Sequence, residues 1–216
     1  MKDREVIERV ENYLREKFLD RGDAHDYWHM MRVYKLAREI CMAEEGDLQI
    51  VSLAALLHDV ADHKFLEPGD TEEGKLAEVL DELEILGETR ERIEEIILNL
   101  SYKGGTNRYE FDHLEGKIVR DADRLDSIGA IGVGRAFAYG GSRDRPMHDP
   151  LDKPKEFKDL QEYKKNNGST INHFYEKLLK LRDGFYTETA RKRAVRRHEF
   201  MEEFLREFLL EWEGKA

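Results

Sequence analysis

Ile50-Val-Ser-Leu-Ala-Ala-Leu-Leu-His58-Asp59 decides how this chain is read. Residues 50–57 carry no charge, and the run then ends on an imidazole and a carboxylate. It is far too short to span a membrane and lacks the polar alternation of a half-buried strand. It reads as a buried helix that delivers His58 and Asp59 at its end. Delivering a charged Asp from a buried helix is costly unless the carboxylate is paired or holds a metal. Upstream stands His25-Asp-Tyr-Trp-His29-Met-Met-Arg-Val33, and downstream Arg120-Asp-Ala-Asp123-Arg-Leu-Asp126. Imidazoles and carboxylates at three separated places form a ligand set for a hard or borderline divalent ion.

Helical periodicity dominates the rest. Val6, Ile7, Val10, Leu14 and Phe18 mark one face of a first helix, broken at Arg21-Gly22-Asp23. The pattern predicts further helices over about 26–45 (ended by Gly46-Asp47), 48–60, a segment stopping near Gly87, 88–100, 114–126 and 128–139. Asp70 with Glu73 resembles a capping box for the helix after the Glu67–Asp70 turn. Gly140-Gly141 is expected to open a long irregular stretch containing Pro146, Pro150 and Pro154. Ser169 or Thr170 can cap a helix to about Arg182, and Thr187 a last helix to about Trp212. Gly129-Ala-Ile-Gly132-Val-Gly134 lacks a preceding strand and the spacing of a phosphate loop, so close helix packing is the better reading. Trp28 and Trp212 read as packing residues. The expected class is all-α, in one domain with room for a small appended lobe.

Composition excludes several functions. The formal charge of −11 over 216 residues argues against a nucleic-acid polymer as partner, which needs a basic face. The run Arg191–Arg197 is basic but is followed by Glu199, Glu202 and Glu203, and reads as a solvated helix face. Neither a membrane span nor a signal-peptide core is present in the sequence, and Cys41 stands alone and reads as a small buried residue. The expected location is cytoplasmic. An acidic chain that takes a small phosphate ester needs a local metal or cationic side chains to reverse the field.

Spacing limits the site. His25 and His29, four apart, share a helix face, and so do Asp123 and Asp126, three apart. Neither spacing chooses within its pair. Adjacent His58 and Asp59 diverge by about 100° on an ideal helix, so they reach one ion only beside their shared edge. Asp62, one turn beyond, lies near that ion. A His-Asp dipeptide alone is more often a satisfied buried pair than a site.

The strings His25-Asp-x-x-His29-x-x-Arg32-Val33, Leu53-Ala-Ala-Leu-Leu-His58-Asp59-Val-x-Asp62-x-Lys64-Phe65 and Asp121-Ala-Asp123-Arg-Leu-Asp126 resemble the HD-domain metal-dependent phosphohydrolases, in a bacterial branch of small stand-alone members. Similarity continues through Ile171-Asn-His-Phe-Tyr-Glu-Lys177 and covers most of the chain. The resemblance implies an HD-domain-like helical bundle with a C-terminal helical extension. Residues 1–216 form a single HD-type domain in this reading, with a metal-binding core over 20–130 and an irregular loop and helical extension over 140–216. It further implies His29, His58, Asp59 and Asp123 as metal ligands. Asp62 falls where related hydrolases place an acidic residue near the nucleophilic water; in several of them it is Glu.

The expected activity is metal-dependent hydrolysis of a phosphate ester, a nucleotide first among candidates, by a metal-activated water. Mn²⁺ or Mg²⁺ is favoured, and Fe²⁺, Co²⁺ or Ni²⁺ also suits an N/O set; the lack of thiolates argues against structural zinc. Asp62 is the expected catalytic group. Lys64, Arg124, His25 and Lys177 are expected to contact substrate, although Lys64 and Arg124 also read as ordinary surface charges. A homodimer is compatible with the sequence. The competing readings are a non-catalytic, metal-containing nucleotide-sensing module and a purely helical interaction protein.

Overall fold

Apolar residues at helical spacing build every element of the protein. The structure, a computed structural model, describes residues 2–19, 26–62, 66–100, 109–157, 161–162 and 166–215, and no strand occurs among them. The first unit comprises Met1–Tyr102 with Asn107–Ala122. It holds α1 (Lys2–Phe18), α2 (Tyr27–Glu44), α3 (Leu48–Leu57), α4 (Glu72–Glu82), α5 (Gly87–Leu100) and most of α6 (Leu114–Asp126). Helix α3 packs against α1, α2 and α5. With partners around it, every residue from Val51 to Leu57 is buried, which is why this helix carries no polar stripe.

Caps set the ends that matter. Asp26 accepts the His29 amide at 2.8 Å and starts α2. Asp47 accepts the amides of Gln49 and Ile50 at 2.9 and 3.0 Å and starts α3. Its own amide donates to Glu115 at 3.1 Å, tying the start of α3 to α6. Between them the turn is made by Glu45, at φ 60°, and not by Gly46. Gly46 serves close approach instead: a Cβ there would lie 3.0 Å from Ile118 and 3.3 Å from Cys41. The cap of α4 also differs from expectation. Thr71 accepts the Gly74 amide at 3.0 Å, while the Asp70 carboxylate closes the preceding turn on the Glu67 amide.

The second unit is built from Asp123–Ala216. It contains α7 (Gly129–Ser142), α8 (Thr170–His173), a π turn (Phe174–Leu178), a 3₁₀ segment (Leu179–Gly184) and α9 (Glu188–Trp212). Gly140 and Gly141, expected to open an irregular stretch, remain inside α7. Gly140 there has no room for a side chain, since a Cβ would meet Thr170 Oγ1 at 2.2 Å. Helix α7 packs on α9 through Phe137, whose ring lies 5.9–6.2 Å from those of Phe174, Phe204 and Phe208. Gly132 leaves no room for a side chain, though against its own preceding turn rather than a neighbouring helix: a Cβ would stand 2.4 Å from the Ser127 carbonyl oxygen. The tryptophans are less buried than expected: Trp28 is 56% exposed with its ring edge on Tyr27, and Trp212, stacked on Phe208, is 45% exposed.

Candidate metal centre

His29 lies in the first turn of α2, and His58 ends α3. The helix stops at Leu57, so Asp59 belongs to the turn that follows rather than to an ideal helix. The His58 backbone is still right-handed, and the two side chains nonetheless meet beside their shared edge. His29 Nε2 and His58 Nε2 are 3.2 Å apart, and Asp59 Oδ2 lies 3.4 and 3.5 Å from them. All three residues are buried, with 1%, 8% and 8% of their surface exposed.

The hydrogen bonding of His58 decides what this triangle can do. Its Nδ1 is 2.9 Å from the carbonyl oxygen of Ala55. A carbonyl only accepts, so Nδ1 carries the proton and Nε2 presents a lone pair. Two ring nitrogens and a carboxylate oxygen therefore converge in a buried space. Ligand atoms about 2.1 Å from one ion, at tetrahedral to octahedral angles, are about 3.0–3.4 Å apart, which these separations match closely. The residues fit a divalent cation.

Glu95, Asp112 and His113 form a second group, whose ligand atoms lie within 4.8 Å of one another, and sequence reading missed it. Here the tautomer points the other way. The Gly116 amide donates to His113 Nδ1 at 3.1 Å, so the neutral ring carries its proton on Nε2, 3.4 Å from Glu95. Burial pushes the Glu95 carboxyl up, but the hydrogen bond from Tyr109, with His113 and Arg92 nearby, outweighs it and holds the group below its ordinary value. Glu95 is already held by Tyr109 and Arg92, each at 2.8 Å, and the neutral imidazole beside it has no lone pair on Nε2 to offer an ion.

The other expected site residues are distributed as follows. Asp62 is half-buried in the turn after Asp59, its amide donating to the Asp59 carbonyl at 3.1 Å. His25 and Lys64 lie outside the described residues. Asp123, Arg124 and Lys177 belong to the second unit. There Asp126, the alternative to Asp123, is 2% exposed and paired with Arg135 at 2.9 Å. Arg124 donates to the Gly184 carbonyl, an attachment no local spacing revealed. Lys177 sits in the π turn, one helical turn from His173. Burial, with Lys177 and Arg145 nearby, pushes the His173 imidazole down to about 3. Cys41 is buried and its thiol is pushed up by that burial, as a small core residue should be.

The HD domain model matches residues 27–128, a span that contains the buried trio and Asp123. Protein YpgQ of Bacillus subtilis is 36% identical over 211 residues, covering 96% of this chain and 94% of that relative. The chain belongs to the HD domain family. Among HD structures, an HD-superfamily hydrolase from Bacillus thuringiensis is 38% identical over 98% of both chains, with a TM-score of 0.73. A Lactobacillus plantarum protein superposes with a TM-score of 0.84 at 34% identity, over 97% of each chain. YpgQ has been crystallised in complex with ADP; that structure matches at a TM-score of 0.76 and 31% identity, over 97% of this chain and 100% of that one. Membership of the HD family accounts for the all-helical fold and for the buried His/Asp group. Among the described residues, no helix is long and apolar enough to cross a membrane.

Proposed function

We propose that this HD protein is a metal-dependent phosphohydrolase acting on a nucleotide or a similar small phosphate ester. The observation that carries the reading is the convergence of His29 Nε2, His58 Nε2 and Asp59 Oδ2, with the His58 tautomer set by Ala55. Asp123 is proposed as the fourth ligand. The pairing of Asp126 with Arg135 supports that choice, because it leaves Asp126 already neutralised. The two imidazoles favour a first-row transition ion such as Mn²⁺ over Mg²⁺. A bound divalent ion supplies Lewis acidity, polarising a phosphoryl oxygen and acidifying water.

The chain's own residues supply the rest. Asp62 orients the attacking water and takes its proton. Lys64, Arg124, His25 and Lys177 meet the phosphate oxygens and the nucleoside; cations are needed because the chain is acidic overall. Full-length similarity to its relatives supports treating 1–216 as one HD-type domain, with 20–130 as the metal-binding core and 140–216 as the extension. The ADP complex of YpgQ supports a nucleotide as the ligand class.

The test is metal analysis of the purified protein, followed by a screen of nucleoside di- and triphosphates with several divalent ions. Stoichiometric metal and metal-dependent phosphate release are expected. Tight nucleotide binding with no turnover under any ion would replace the enzyme with a sensing module.

A further inference from the structure

Helix α9 is divided by charge about its centre. Residues 188–197 hold five basic side chains and one acidic one, whereas residues 198–212 hold five acidic side chains and one basic one. The midpoint of the helix is Phe200, which is 44% exposed. Helix energetics do not ask for this order of signs. Acidic residues at a C-terminus oppose the helix dipole, and Glu211 and Glu213 stand there. The buried face of α9 is Ala190, Ala194, His198, Met201 and Leu205. On the opposite face Lys192, Arg196, Phe200, Glu203 and Glu207 are all exposed and recur at spacings of three and four, so they form one stripe. Among the described residues, Arg196 and Glu207 have no ionic partner.

We propose that this stripe docks a second copy of the chain, two α9 helices packing antiparallel about a two-fold axis beside Phe200. A two-fold contact must be self-complementary, each residue meeting its mirror position in the other copy. The stripe has that property. Antiparallel pairing about its centre sets Lys192 against Glu207 of the second copy, and Arg196 against Glu203 of the second copy. The two Phe200 rings meet near the axis, where an aromatic side chain contributes most to an interface. Glu199, on the other edge of the stripe, stays in solvent beside Arg196. A parallel arrangement would set like charges together along the whole stripe, so the pattern also selects orientation. Such a contact is driven by charge matching around a small apolar centre, and it weakens as salt rises.

Sedimentation equilibrium of the full chain, at low and at high salt, tests this directly. The expected result is a dimer whose dissociation constant rises with salt. Arg196→Glu should weaken association by about tenfold or more, because two repulsive pairs replace two attractive ones. Glu203→Arg alone should weaken it similarly. The double variant Arg196→Glu with Glu203→Arg should recover most of the loss, since the swapped charges again face each other. Phe200→Asp should dissociate the dimer while leaving helix content unchanged. A monomer at all concentrations up to about 100 µM, well above ordinary specific affinities, would overturn the proposal. So would a dimer indifferent to both Arg196→Glu and Phe200→Asp, or a double charge swap no better than either single change.

Discussion

At the scale of single residues, the chemistry turns on which atom of each side chain is free. His58 is committed by Ala55 to offering Nε2, whereas His113 is committed by Gly116 to offering no lone pair there. Asp59→Ala is therefore expected to abolish metal occupancy in a folded protein, measured by elemental analysis beside circular dichroism. Wild-type occupancy in that variant would sink the assignment. His25→Ala should lose less metal than His29→Ala; the opposite order would exchange their roles. Asp62→Asn should keep its metal yet lose turnover by roughly the 10²–10⁴ typical of an acid–base group. Near-normal turnover at saturating metal would remove Asp62 from the reaction. Lys64→Ala should weaken substrate use without changing metal content, with the defect shrinking at high salt as the lost attraction is screened. A defect constant across salt would speak against an electrostatic role.

At the scale of elements, close approaches decide which glycines are replaceable. Gly132 and Gly134 both lie inside α7, where alanine is the better helix former by about 1 kcal/mol. A Cβ at Gly134 meets nothing within 4 Å, so Gly134→Ala should raise stability by up to about 1 kcal/mol. A Cβ at Gly132 would press on backbone, the Ser127 carbonyl, which cannot rotate away as a side chain can. Gly132→Ala should instead lower stability by about 1–3 kcal/mol, the usual cost of overpacking. Urea denaturation of the pair checks both signs at once, and equal shifts would show that α7 does not approach Ser127 this closely. The sequence suggested close packing for all three glycines of 129–134, whereas a Cβ meets neighbours at Gly129 and Gly132 and open space at Gly134. Which glycine is indispensable depends on what passes beside it.

At the scale of the whole molecule, burial is converted into pH dependence. His173 remains neutral in the folded protein down to about pH 3, whereas an ordinary imidazole titrates near 6.5. Between those values the unfolded chain binds a proton that the folded one refuses. Stability contributed by this residue is complete above about pH 6.5 and falls as pH drops toward 3. Glu95 and Glu115, held below the ordinary carboxyl value, add losses of the same sign, but only lower on the scale, below about 4.5. Unfolding free energies between pH 5 and 7 (roughly one to two units around a free imidazole's pKa) should therefore be flatter for His173→Gln than for the wild type. An unchanged slope would mean that His173 titrates normally.

Local periodicity determined the helical class, most helix spans and the delivery of His58 and Asp59 by an apolar helix. These depend on neighbours within a turn or two, and a sequence displays such neighbours directly. The resemblance of longer strings then pointed to the HD family and to the trio. Only tertiary structure decided the rest. Asp59, in the turn after α3, comes within 3.4 and 3.5 Å of the two imidazoles. Ala55 sets the tautomer, Arg135 takes Asp126, and Gly184 takes a donor of Arg124. Glu45, rather than Gly46, makes the left-handed turn, and Gly46 instead yields space to Ile118 and Cys41. Trp28, read as a packing residue, is more than half exposed. Each of these is a distance between atoms brought together by packing, and packing depends on every element at once.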